Sequence, residues 1–141
     1  MKVAAITGFS GAGKTTLIVA LIRRFVAAGE RVGAIKHTHH VLNEERRGDT
    51  GAFLDAGAEP VVFAGNGEAV VFRHNGVARA RYADECELLQ FFGGDDVVLD
   101  VVLIEGFKSS EAWPKVELGS ERRMSADDAA AILDRIWRSR S

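Results

Sequence analysis

Gly8-Phe9-Ser10-Gly11-Ala12-Gly13-Lys14-Thr15 is the stretch on which the reading of this chain turns. It satisfies G-x-x-x-x-G-K-[ST] at every defined position. An apolar run, Val3 to Thr7, comes directly before it. A helical pattern follows from about Lys14 to Ala28, with Leu17, Ile18, Leu21, Ile22 and Phe25 recurring on one side and Gly29 as its stop. The glycines let main-chain N–H groups turn inward around an anion without Cβ clashes. A helix opening at Lys14 aims its unpaired N–H groups and the positive end of its dipole at the same anion. Lys14 adds a full charge near the terminal phosphates, and the Thr15 hydroxyl suits Mg²⁺. Gly11, Ala12, Gly13, Lys14, Thr15 and Thr16 are therefore the expected phosphate contacts. A plain glycine turn ahead of an ordinary helix is the alternative, and the strand-loop-helix context weighs against it.

Outward from the loop, the bulk properties narrow the field. A length of 141 residues argues for a single domain spanning 1–141. A net charge of -2 argues against a nucleic-acid partner, which calls for a basic excess. Cys86 is the single cysteine, so no intrachain disulfide can form and a reducing, cytoplasmic setting is expected. The apolar runs are too short to span a bilayer, so no membrane association is expected. Met1 to Thr7 enters a glycine loop rather than a long apolar region, and reads as a strand rather than a leader.

The remaining pattern alternates strand and helix. Arg31 to Lys36 reads as a second strand, His37 to Arg47 as a polar loop, and Asp49 to Ala56 as a helix closed by Gly57. Pro60 to Ala64 is a further strand. Ala69 to His74 and Val77 to Tyr82 are expected to form a hairpin through a type I′ turn at Asn75-Gly76. Asp84 to Phe92 reads as a short helix capped by Asp84, with Glu87 three residues on. Val97 to Ile104 is apolar apart from Asp100, as suits a parallel strand covered on both faces. Lys115 to Leu118 is a last short strand. Ser125 and Asp128 open a final helix with Ile132, Leu133, Ile136 and Trp137 on one side and Arg135 and Arg138 on the other. The sum is a three-layer α/β fold of the P-loop NTPase kind, with a mostly parallel sheet and one antiparallel hairpin.

Open α/β sheets place ligands at the C-terminal ends of their strands. Asp100 and Glu105 lie five residues apart, on the order of 16 Å along a strand. Glu105 is thus expected beside the phosphates as the Mg²⁺-side carboxylate, the alternative being a solvated strand-end charge. Asp100 is expected at the opposite edge as a surface residue. Lys36 and His37 emerge on the ligand edge and are assigned to the bound nucleotide. Asp49 is either a helix N-cap or a third residue reaching the metal with Thr15 and Glu105. His37, His39 and His40 admit a Zn²⁺ or Ni²⁺ site, contact with an anionic substrate, or a solvated loop with one packed ring. No cysteine and histidine cluster with zinc spacing accompanies them.

Several segments taken together carry a resemblance to one family. They are the phosphate loop with Thr16-Leu17, Lys36-His37-Thr38-His39-His40, Asp49 ahead of a helix ending Ala56-Gly57-Ala58, Glu105-Gly106-Phe107-Lys108, and Pro114-Lys115-Val116-Glu117-Leu118. In combination they resemble the molybdopterin-guanine dinucleotide biosynthesis adaptor, the MobB-type P-loop GTP-binding proteins, over roughly residues 1 to 118. The resemblance implies GTP with Mg²⁺ as cofactors, slow hydrolysis, a homodimer, and a place beside the guanylyltransferase that attaches GMP to molybdopterin. It carries Lys14 and Thr15 over as the phosphate and Mg²⁺ residues and Asp49 and Glu105 as acids that approach the metal, and Lys14 and Glu105 are the expected catalytic residues. Preference for guanine rests on it alone, since no Asn-Lys-x-Asp segment occurs. Gln90 is the one glutamine and lies in a predicted helix, so no water-orienting residue is evident. Gly119 to Ser141 has no counterpart in the resemblance. Competing expectations are a metal-delivery GTPase using the His37 to His40 loop, and a small-molecule kinase with a lid bearing Arg46-Arg47 or Arg122-Arg123.

Overall fold

Strand β1, Lys2–Thr7, runs between two parallel neighbours, one strand in from the edge of a seven-stranded sheet. The computed structural model describes residues 1–8, 13–39, 42, 48–93, 98–119 and 124–140. Within them the order of elements is β1, α1 (Lys14–Ala27), β2 (Val32–His37), α2 (Gly48–Ala56), β3 (Val61–Gly65), β4 (Glu68–Arg73), β5 (Gly76–Arg81), a 3₁₀ segment (Glu85–Phe92), β6 (Val101–Glu105), β7 (Lys115–Glu117) and α3 (Ala126–Ser139). The strands lie in the order β5-β4-β3-β2-β6-β1-β7. From β3 to β7 they are parallel, and β4 and β5 extend one side in antiparallel fashion. All of β6 is buried, as its continuous apolar run requires.

Side-chain alternation divides the core. Ala4, Ile6, Val32, Ala34, Val101 and Leu103 face helices α1, α2 and α3, against Leu17, Leu21, Phe53 and Leu133. Ala5, Ile35, Val62, Val102 and Ile104 face the other way, under Leu88 and Phe92 of the 3₁₀ segment and under Leu99 and Trp113. Helices thus cover one face, and a 3₁₀ segment with loop residues covers the other. The Asp84 carboxylate accepts from Cys86 N at 2.8 Å, and Glu87 reaches back to Ala83 N at 3.1 Å. These are the capping contacts expected of a helix, although the segment winds as 3₁₀ and not as α. Ser125 caps α3 by accepting from Asp128 N at 3.1 Å.

Two expectations need correcting in register. The hairpin joins β4 to β5, but Arg73 pairs with Gly76, so its loop residues are His74 and Asn75. The mirror-image turn forms instead at Asn66-Gly67, with φ of 54° and 77°, between the paired residues Gly65 and Glu68 of β3 and β4. The chemistry of Asn-Gly is the one expected; it acts at the other of the two Asn-Gly sites. The strand expected over Val97 to Ile104 begins only at Val101. Asp100 stands just before it, accepting from Arg31 N through its carboxylate and from Lys2 N through its carbonyl, both at 2.8 Å. It ties the starts of β1, β2 and β6 together, at the edge away from the expected phosphate site.

Gly33 on β2 has no room for a side chain: an added Cβ would lie 2.4 Å from Phe92 Cδ1 and 2.9 Å from Leu99 Cδ1. Gly33→Ala is expected to lower stability by about 1–3 kcal/mol through overpacking. Urea unfolding checks this; an unchanged midpoint would contradict the packing described.

Candidate functional site

The C-terminal ends of the parallel strands bring the expected residues together. Lys36 on β2 and Glu105 on β6 are partners across adjacent strands, so their side chains leave the sheet side by side on the helix-covered face. The N-terminal turns of α1 and α2 open at the same place, and each supplies its second residue: Thr15 and Asp49. The Thr15 hydroxyl lies 3.0 Å from Glu105 Oε1 and 3.1 Å from Asp49 Oδ2. It has one proton and donates to one of the two. Lys36 Nζ donates to both, at 2.9 Å to Glu105 Oε1 and 2.8 Å to Asp49 Oδ2. Asp49 is therefore not spent as an N-cap; its carboxylate crosses to the start of α1.

Glu105 is almost wholly enclosed, and its Oε2 has no hydrogen-bond partner. A buried carboxylate oxygen left unpaired is costly unless something completes it. With Thr15 Oγ1 and Asp49 Oδ2 it forms a set of hard oxygen donors, which fits Mg²⁺ held by one or two carboxylates plus a substrate's own oxygens. Burial pulls the Lys36 ammonium toward neutrality, but its bonds to Asp49 and Glu105 outweigh this and hold its pKa above the usual value, so it stays charged.

Lys14 Nζ donates to Gly8 O at 2.8 Å, bridging the two ends of the phosphate-loop motif. Gly13 takes φ of 87° where α1 begins, with open space where a Cβ would stand, so it serves conformation and not clearance. The first intrahelical bond runs from Leu17 N to Gly13 O at 3.0 Å, and no acidic side chain occupies the first turn of α1. The N–H groups ahead of Leu17 and the positive dipole end are thus unmatched by any side-chain anion of that turn. Thr16 is exposed beside them. Gly11 and Ala12, also assigned to the phosphates, lie outside the described residues, as do His40, Arg46, Arg47, Arg122 and Arg123.

His37 leaves β2 on the opposite face from Lys36. Its ring stacks on Phe107 with centroids 4.0 Å apart and meets His39 edge-on at 4.8 Å, and Phe107 in turn meets Trp113 at 5.8 Å. Phe107 N–H donates to His37 Nδ1 at 3.4 Å. Gly106, at φ of 105°, makes the crossing possible, since a Cβ there would lie 2.7 Å from His37 Cβ. Among the described residues no group of three or more His, Cys, Asp or Glu side chains is placed to hold a metal ion. The one-ring-packed reading of the histidine loop describes His37 as placed. The Phe107 stack was not singled out from the residues; the only trace of it was a glycine and an aromatic following the strand-end acid.

Burial, with the neighbouring His39 as the second cause, pushes the His37 pKa below its ordinary value of 6.5. The folded state thus resists a proton that the unfolded chain accepts, so this term is fully present above about pH 6.5 and is lost as pH falls through the depressed folded value. Unfolding free energy should decline on acidification across that window, and more weakly in His37→Gln. Parallel pH profiles for the two proteins would contradict the placement of the ring.

The chain matches, over residues 3–134, the family described as MobB, Molybdopterin guanine dinucleotide synthesis protein B. It is 36% identical over 114 residues to the molybdopterin-guanine dinucleotide biosynthesis adapter protein of Haemophilus influenzae, covering 80% of this chain and 60% of that one. To the Escherichia coli adapter protein it is 38% identical over 111 residues, covering 76% and 59%. The chain thus spans about 60% of the length of these curated relatives. Among solved structures, Bacillus subtilis MobB superposes with a TM-score of 0.57 at 22% identity, over 98% of this chain and 97% of that one. The MobB homologue of Bacillus stearothermophilus gives 0.50 at 25% identity, over 94% and 70%. No helix among the described residues is long and apolar enough to cross a membrane. Fold, motif order and sequence agree that this chain belongs to the MobB family.

Proposed function

We propose that this chain is a MobB-type adapter for molybdopterin guanine dinucleotide biosynthesis that binds GTP with Mg²⁺ at the start of α1 and hydrolyses it slowly. One observation carries the reading: Thr15, Asp49 and Glu105, drawn from three separate elements, converge within 3.1 Å beside the phosphate-loop motif, with a buried Glu105 oxygen left over. A carboxylate pair around a helix-opening threonine has little purpose in a glycine turn that binds nothing.

Each side chain has a defined part. Lys14 exchanges Gly8 O for phosphate oxygens and neutralises their charge. The N-terminal amides of α1 donate to the same oxygens. Thr15, Asp49 and Glu105 would hold Mg²⁺, which when bound offsets charge on the outer phosphates. His37 borders the site from the other face of β2, with Nδ1 engaged by Phe107 and Nε2 left as its donor. Beside the first turn of α1 a cavity of about 180 Å³, walled by Gly13, Thr16, Leu17, Leu118 and Met124, is offered for the nucleoside. Slow turnover accords with the place of the one glutamine, Gln90, exposed on the 3₁₀ segment across the sheet from Glu105. The homodimer, the cytoplasmic setting, and partnership with a guanylyltransferase and molybdopterin rest on the family resemblance.

Lys14→Ala should weaken triphosphate binding by about 2–4 kcal/mol, the scale of losing a charged hydrogen-bonding partner. Calorimetry with GTP and ATP, with and without Mg²⁺, measures this and tests the guanine preference; unchanged affinity removes the lysine's role. Glu105→Gln should reduce Mg²⁺-dependent hydrolysis more than nucleotide affinity. Phosphorylated product from a candidate acceptor, in place of free phosphate, would favour a kinase instead.

A further inference from the structure

Lys36 occupies a place that needs explaining. The register of β2 against β6 sets its Cα opposite that of Glu105, so the main chain cannot carry it away. Its ammonium bonds at once to the two carboxylates expected to face a divalent cation, at 2.8 and 2.9 Å. Glu105 is 4% exposed and Asp49 38%, with Lys36 at 22% between them. Two carboxylates sharing one threonine hydroxyl repel each other, and the enclosed one is poorly hydrated. The Lys36 ammonium between them offsets that repulsion.

We infer that Lys36 is a tethered counter-ion standing in the divalent-cation position, so that Mg²⁺ enters this site only together with a triphosphate. The inference rests on the reading of Asp49 and Glu105 as metal-facing groups. Mg²⁺ arriving alone would have to displace an ammonium that exchanges two carboxylates for water only, and would itself shed water that it releases reluctantly. A triphosphate at the start of α1 provides the ammonium with phosphate oxygens to pair with, and the carboxylates become free. Nucleotide and metal then favour each other's binding, and by linkage the coupling is the same in both directions. If the ion pair were merely structural, removing the lysine would loosen the site without improving its hold on a metal.

The test needs no nucleotide and no turnover. Binding of Mn²⁺ alone, followed by its paramagnetic resonance signal, is measured for the wild-type chain, Lys36→Met and the double variant Lys36→Met/Glu105→Gln. Lys36→Met should bind Mn²⁺ at least about tenfold tighter than wild type, and the second substitution should abolish the gain. Equal affinities for wild type and Lys36→Met overturn the inference, as does a gain that survives Glu105→Gln. Should Lys36→Met not fold, the wild-type chain still decides: its thermal midpoint should not respond to Mg²⁺ alone, and a saturable rise with Mg²⁺ alone overturns the inference. Failure of the wild type to bind GTP would sink the proposed function and leave the Mn²⁺ comparison standing on its own.

Discussion

The contact between Lys36 and Glu105 organises this end of the molecule. It exists because β2 and β6 are hydrogen-bonded neighbours in parallel with a fixed register, Ala34 opposite Leu103 and Lys36 opposite Glu105. A slip of one residue in either strand would send a charged group into the face covered by the 3₁₀ segment and withdraw its partner. Burying Glu105 is tolerable only while an opposite charge and a hydroxyl stand beside it. That requirement in turn fixes where α1 and α2 begin, since Thr15 and Asp49 must both reach the same strand end. Each of the two helices also directs its positive dipole end at carboxylates, which lowers the cost of gathering negative charge there.

The sheet separates two kinds of chemistry that lie close in sequence. Lys36 and His37 are consecutive, yet alternation sends the lysine to the helix face and the histidine to the other. On one side the cluster is charged and made of oxygen donors. On the other, His37, Phe107 and Trp113 form a packed aromatic row that reaches the second half of the core. Glu105, Gly106 and Phe107 straddle the same boundary, an acid facing one way and an aromatic ring the other. Gly106 at φ of 105° allows the turn between them. Any shift of Phe107 would therefore be felt at the strand end that carries Glu105.

Much of this could be read from the residues. The motif and its flanking periodicity located β1 and α1, and the strand-end rule separated Glu105 from Asp100 without knowledge of the strand order. The structure puts Asp100 to use as a tie between strand starts, in agreement with its expected place. Other features were hidden for identifiable reasons. Two Asn-Gly pairs occur, and local sequence does not say which of them takes the mirror-image turn; pairing of β3 with β4 decides in favour of Asn66-Gly67. The 3₁₀ winding of Glu85–Phe92 was invisible because its caps are those of an α-helix. The sequence placed Lys36 on the ligand edge but could not show its pairing with Glu105, because the neighbour across the sheet lies 69 residues away. The His37 stack depends on a residue 70 positions away, beyond the reach of any local pattern.

Strand β1 also joins remote parts of the chain. Its outer edge is covered by β7 only from Ala5 onward, and ahead of that point the Val3 carbonyl accepts from the indole of Trp137, 134 residues downstream. Its inner edge pairs with β6, likewise far along the chain. A strand whose partners are all so distant cannot be satisfied by anything synthesised soon after it. Loop closure has to precede the reward, which makes for slow, late consolidation of this side of the sheet. The phosphate-loop motif that follows β1 thus waits for its scaffold until β6 is made, and the Trp137 indole of α3 closes the last open stretch of the β1 edge later still.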